Sequence, residues 1–137
     1  MELNIVLFIG KPGSGKGTQA KMLAEHTGWK IISTGDLFRA LAKEESVVGR
    51  KTRETIDNGF LMPPWFAIYL FQKAVFEASP NEGLIFEGSG RKPGEAALIV
   101  ETLSFIGRPF KAVHVAVSDE EIVERLTGRQ GKETRAD

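Results

Sequence analysis

GKPGSGKGT, residues 10–18, stands directly behind a short apolar run, residues 4–9, and directly before a helical pattern. The run is continuous rather than alternating, as in a strand buried on both faces. Behind it, Ala20, Leu23, Ala24 and Thr27 follow helical spacing from residue 16 to about residue 26, and Gly28 closes the helix. Glycines at this density let the backbone curl so that successive N–H groups point inward and phosphate oxygens approach closely. The start of the helix adds the positive end of its dipole. Lys16 adds a point charge for the terminal phosphates. Gly13, Ser14, Gly15, Lys16, Gly17 and Thr18 are thus the expected cradle of a nucleotide's phosphates. The stretch departs from the general pattern GxxxxGK[ST], because Gly17 takes the hydroxyl position and Thr18 follows it, which speaks against direct ligation of a metal there. A plain glycine turn beside a solvated lysine would leave this spacing unexplained.

Outward from the loop, two periods alternate. Residues 30–33 read as a second strand, followed by a helix over residues 35–45 that Ser33 or Thr34 caps. A helix over residues 48–58 stops at Gly59, and Pro63 and Pro64 open a strongly apolar one over residues 65–78. Residues 84–86 form a third strand, residues 93–105 a helix ending at Gly107, and residues 112–117 the last strand. Ser118 with Glu121 three residues on makes a capping box for a helix over residues 119–127. Strands alternating with helices predict an α/β fold: a doubly wound parallel sheet with helices on both faces. The last strand is apolar on both faces, which suits an interior position. A further helix and strand beside it are therefore expected, with this chain a fragment of the whole.

Composition narrows the classes. The 137 residues are 42% hydrophobic and 26% charged, enough for one folded domain. Eighteen basic residues balance eighteen acidic ones, which argues against a general nucleic-acid binder. With no cysteine there is no disulfide framework, thiolate zinc site, iron–sulfur cluster or thiol nucleophile. The longest apolar run, residues 65–71, is far short of the ~18 residues that span a bilayer. The amino terminus has no basic start or small-residue cleavage site, so a cytoplasmic monomer with no membrane and no nucleic-acid partner is expected.

GKPGSGKGTQA closely resembles the loop of adenylate kinases, within the nucleoside monophosphate kinase family, where glycine at the position of Gly17 is habitual. IISTGDLFRA, residues 31–40, is similar to that family's monophosphate-binding stretch, and FEGSGRKPGEA, residues 86–96, to its DGFPR segment. RLTGR, residues 125–129, matches the stretch entering the lid, and TRAD, residues 134–137, the stretch leaving it. The resemblance covers the whole chain in order and lacks the family's carboxyl-terminal helix and strand. It implies one P-loop nucleotide kinase domain over residues 1–137, with a helical acceptor-binding insert at about 34–63 and a short lid at about 128–135.

The same resemblance implies ATP and Mg2+ as cofactors, and transfer of the γ-phosphoryl to a nucleoside monophosphate, AMP first among them, giving two diphosphates. Lys16, Arg91 and Arg129 would grip the transferring phosphoryl, and Arg39, Arg91, Thr34 and Gly88 the acceptor. Arg125 would lie over the donor base and Arg135 would arrive as the lid closes. Glu87 would hold magnesium through its waters. Phe60, Leu61 and Met62 match the acceptor-base pocket, although an aromatic at position 60 equally suits a plain core. Independent physics agrees. Bringing several phosphates together needs their repulsion offset in the transition state, and arginine's fork meets phosphate oxygens bidentately.

Three positions depart from the family pattern. Glu87 stands for its usual aspartate, Ser89-Gly90 for its Phe-Pro, and Glu95 for the glutamine that reads the acceptor base. A carboxylate only accepts, which fits guanine's adjacent N–H donors better than adenine's donor–acceptor edge. Altered base selectivity is therefore expected. Two alternatives stay open: a nucleotide-binding module with little or no catalysis, and a kinase for a monophosphate other than AMP. His26 and His114 read as structural, and Trp29, Trp65 and the phenylalanines as core.

Overall fold

The structure, a computed structural model, describes residues 2–11, 13–90 and 93–129. In chain order the elements are β1 (Ile5–Ile9), α1 (Lys16–Thr27), β2 (Lys30–Ser33), α2 (Thr34–Ala42), α3 (Val47–Asp57), α4 (Phe66–Glu77), β3 (Leu84–Glu87), α5 (Pro93–Phe105), β4 (Phe110–His114) and α6 (Asp119–Arg129). The four strands form one sheet in the order β2-β3-β1-β4, with every pair parallel. Because successive strand residues point to opposite faces, β1 and β3 feed two cores. Ile5, Leu7, Leu84 and Phe86 pack with Phe71 and Val75 of α4 and Leu103 of α5. Val6, Phe8 and Ile85 pack on the other face with Ala20 of α1. Helices therefore cover both faces, and the fold is the α/β doubly wound sheet that the alternation of periods predicts.

Local signals set most boundaries. The Ser33 hydroxyl accepts from the Asp36 N–H at the start of α2. α2 ends at Ala42 rather than near residue 45, because Ser46 caps α3 by accepting from the Gly49 N–H. α3 lies close against the end of α2. A Cβ on Gly49 would stand 2.4 Å from the Glu44 carbonyl oxygen and 2.8 Å from that of Leu41, backbone atoms that cannot swing aside. Gly49→Ala is therefore expected to lower stability by about 1–3 kcal/mol through overpacking, despite alanine's better helix propensity. Urea denaturation checks this, and an unchanged midpoint would contradict it.

Three expectations need correction. β4 spans Phe110–His114 rather than residues 112–117, as the outer strand of the described sheet with Lys111, Ala112, Val113 and His114 exposed. Trp65 is exposed beside Phe66, outside α4, whereas Trp29 does pack against the core under α1. Phe60, Phe76 and Phe105 are exposed too, since their helices and turns hold them away from the sheet. Conversely, Arg108 is buried, donating to Asn4 Oδ1 at 2.7 Å and to the Glu82 carbonyl at 3.0 Å. It ties the start of β1 to the turn before β3, at the end of the sheet remote from the glycine loop.

Candidate functional site

β1 delivers the glycine loop to the carboxyl edge of the sheet, where ligands of open α/β folds bind. Gly13 at φ 86° and Gly15 at φ 96° take the left-handed backbone that the curl requires. α1 begins at Lys16 with no side-chain cap, so the positive end of its dipole opens at the loop with no neighbouring hydroxyl over it. The side chain of Lys16 is 3% exposed, and its Nζ lies 3.6 Å from Glu87 Oε1. The parallel register explains this meeting, since Phe8 pairs with Glu87 and Ile9 with His114. Two strand ends on either side of β1 thus arrive at the loop together.

A cavity of about 320 Å³ opens there between the loop, Gly88 to Gly90 and His114. Ser14 is buried with its Oγ lacking a hydrogen-bond partner. A Cβ on Gly10 would sit 2.6 Å from that oxygen, so the loop curls too tightly for any larger residue there. An orphaned buried hydroxyl, an uncapped helix start and a buried ammonium together fit a polyphosphate. Among the described residues no group of three or more His, Cys, Asp or Glu side chains could hold a metal ion. One carboxylate, Glu87, fits magnesium that arrives on phosphates and keeps most of its waters. A larger cavity of about 480 Å³, between β2, α2 and α4, lies away from the loop.

The sequence model of the family described as adenylate kinase matches residues 8–136. The chain belongs to the adenylate kinase family. It is 38% identical over 128 residues to an adenylate kinase of Methanosarcina barkeri, covering 93% of this chain and 59% of that protein. It is 36% identical over 129 residues to adenylate kinase 1 of Nostoc sp., covering 93% of this chain and 70% of that one. The adenylate kinase of Bacillus subtilis is similar at 36% over 129 residues, again 93% of this chain and 59% of that protein. The chain thus spans less than two thirds of the length of the first and last of these relatives.

The residues that the adenylate kinase resemblance singles out fall into three groups. Gly13, Ser14, Gly15, Lys16, Gly17 and Thr18 form the loop and the first turn of α1, Thr18 being exposed; Glu87 meets the Lys16 ammonium, and Gly88 lines the cavity with Lys16. On the acceptor side, Thr34 begins α2 and Arg39 follows on its exposed surface, paired with Asp36. The Arg39 guanidinium, with the Ser33 hydroxyl second, holds the Asp36 carboxyl below its usual range. Phe60 and Leu61 are 70% and 95% exposed, while Met62 packs against the cluster of Leu41, Phe66 and Leu70. Glu95 is half-buried in the first turn of α5.

Arg125 reaches the loop itself: its Nη1 donates to the carbonyls of Ser14 at 3.1 Å and Gly13 at 3.4 Å. Arg129 ends α6. Arg91, Arg135 and the lid expected at about 128–135 lie outside the described residues, except that α6 extends to Arg129. Two features escape the sequence reading. His114 lines the cavity beside the loop, and Lys11 of the loop pairs with Asp119 of α6 at 2.8 Å. Only the pairing of β4 beside β1 could have signalled either.

Proposed function

We propose that this chain binds Mg·ATP at the glycine loop and passes the γ-phosphoryl to a nucleoside monophosphate held toward α2, AMP being the default acceptor, giving two nucleoside diphosphates. The observation that carries the reading is the buried Lys16 ammonium beside Glu87 within a loop of left-handed glycines. The loop N–H groups and Lys16 hold the donor phosphates and offset charge as it develops. Arg39, and by resemblance Arg91, fix the acceptor phosphate. The attacking phosphate oxygen is already anionic near neutral pH, so no side chain needs to take a proton. Magnesium, carried on the phosphates and held through water by Glu87, would supply further neutralisation. By resemblance, Arg129, Arg135 and the short lid exclude water, which would otherwise take the phosphoryl group. By the same resemblance, Arg125 would lie over the donor base, and Phe60, Leu61 and Met62 would take the acceptor base. A cytoplasmic monomer acting on small nucleotides fits the balanced charge and the absence, among the described residues, of a helix long and apolar enough to cross a membrane.

Calorimetric titration with Mg·ATP and a coupled assay of ADP formation test the reading. Binding together with AMP-dependent ADP formation supports it. No uptake of ATP would end it. One observation favours a second reading, binding with little transfer: β4 backs the loop strand yet is itself exposed, and transfer needs placement to a fraction of an ångström. Binding without transfer would select that reading.

Acceptor choice follows from Glu95. Its carboxylate only accepts, so the preference for AMP over GMP is expected to be relaxed. Glu95→Gln is expected to move the AMP-to-GMP ratio of kcat/KM toward AMP by about 10-fold or more, the scale of one base-edge contact. An unchanged ratio would remove Glu95 from base reading.

A further inference from the structure

The described side-chain contacts between α6 and the glycine loop are polar. Every side chain described in α6 is exposed, so no described residue of this helix anchors it through a buried apolar face. Polar contacts reach instead across more than a hundred residues of chain. Lys11 Nζ meets Asp119 Oδ1 at 2.8 Å. Arg125 Nη1 donates to the carbonyls of Gly13 and Ser14, while its Nη2 donates to Glu121 Oε1 at 2.8 Å. Ser118 Oγ accepts from the Glu121 N–H, fixing the first turn from which Asp119 and Glu121 project. One carboxylate, Asp119, therefore holds a cation of the loop itself, and the other, Glu121, holds the cation that reaches the loop carbonyls.

We propose that Asp119 and Glu121 are positioning residues that make α6 responsive to the loop's contents: a polyphosphate ordering the loop also orders α6, through the Lys11–Asp119 pair and the Glu121–Arg125 strut. The inference rests on the nucleotide-binding reading above. The physical basis is linkage. A ligand that fixes the loop backbone fixes the carbonyls of Gly13 and Ser14 and the stem of Lys11, and these are the atoms that α6 holds. Lys11 also keeps the Asp119 carboxyl below its usual range, so this contact stays ionic across neutral pH. Coupling between two sites is reciprocal and commonly 5–150-fold in equilibrium terms.

Amide hydrogen exchange on the full chain tests this, with Mg·ATP and with inorganic tripolyphosphate as separate probes. Both are expected to slow exchange over residues 13–18 and, by about tenfold, over residues 119–127. In the D119N/E121Q variant the slowing persists at residues 13–18 and falls below about twofold in α6. D119E keeps the charge and retains the wild-type response, and about 0.5 M NaCl weakens it by screening an exposed pair. Circular dichroism verifies that α6 is still helical in each variant. The proposal is overturned if α6 does not respond while the loop does, or if the double variant responds like wild type. It is also overturned if ATP protects α6 and tripolyphosphate does not, because the nucleoside rather than the loop would then be acting. Absence of protection in the loop itself would remove the nucleotide reading and this inference with it.

Discussion

Lys16→Met is expected to weaken Mg·ATP binding by about 30-fold to several thousand-fold, the range for truncating one member of a buried charge pair. The side chain is 3% exposed, so water cannot replace it as the counter-charge to an arriving phosphate. Part of the cost falls on the fold, because Glu87, 16% exposed, loses the ammonium 3.6 Å away. The K16M/E87Q pair separates the two effects. Stability is expected to recover in the double variant, whereas ATP affinity is not. Calorimetric titration and urea denaturation read the two quantities, and ATP binding by Lys16→Met within threefold of wild type would contradict the site.

Phe86→Ala is expected to cost about 3–5 kcal/mol of stability, the usual loss for deleting a fully buried ring. Phe86 is 1% exposed, and its ring lies 4.7 Å from that of Phe71, centroid to centroid. The residue also immediately precedes Glu87, so a cavity beneath it loosens the strand end that presents the carboxylate to Lys16. A whole domain typically holds only about 5–15 kcal/mol. The substitution therefore removes a large share of the total, visible as an early urea midpoint at unchanged slope. A loss below about 1 kcal/mol would mean that α4 collapses into the space.

The glycine loop and the layered fold were legible because their signals are local. An apolar run, a glycine turn and a lysine at a helix start sit within fifteen consecutive positions, residues 4–18, and the strand–helix alternation around them leaves few topologies. What was not legible depends on pairs distant in the chain. His114 reaches the cavity beside the loop only because β4 pairs with β1 in a register that sets it beside Ile9. Lys11 meets Asp119 for the same reason. The bounds of β4 were misjudged, because apolar Val115 and Val117 continue past its last register pair, Ile9 with His114. Trp65 misled similarly: a helical stripe fixes a face, and the tryptophan stands just outside the helix that the stripe belongs to. Arg108 gives no local sign of its burial, which depends on three oxygens from distant positions, one of them at 3.5 Å, converging on it.

Among the described residues every positive φ belongs to a glycine. The turn at Gly13 and Gly15 is thus held without the backbone tension that a side chain in that conformation would bring. The hollow at the end of β1 is no cocked spring: an arriving ligand can settle the loop, but it finds no wound-up backbone at these two glycines to let go.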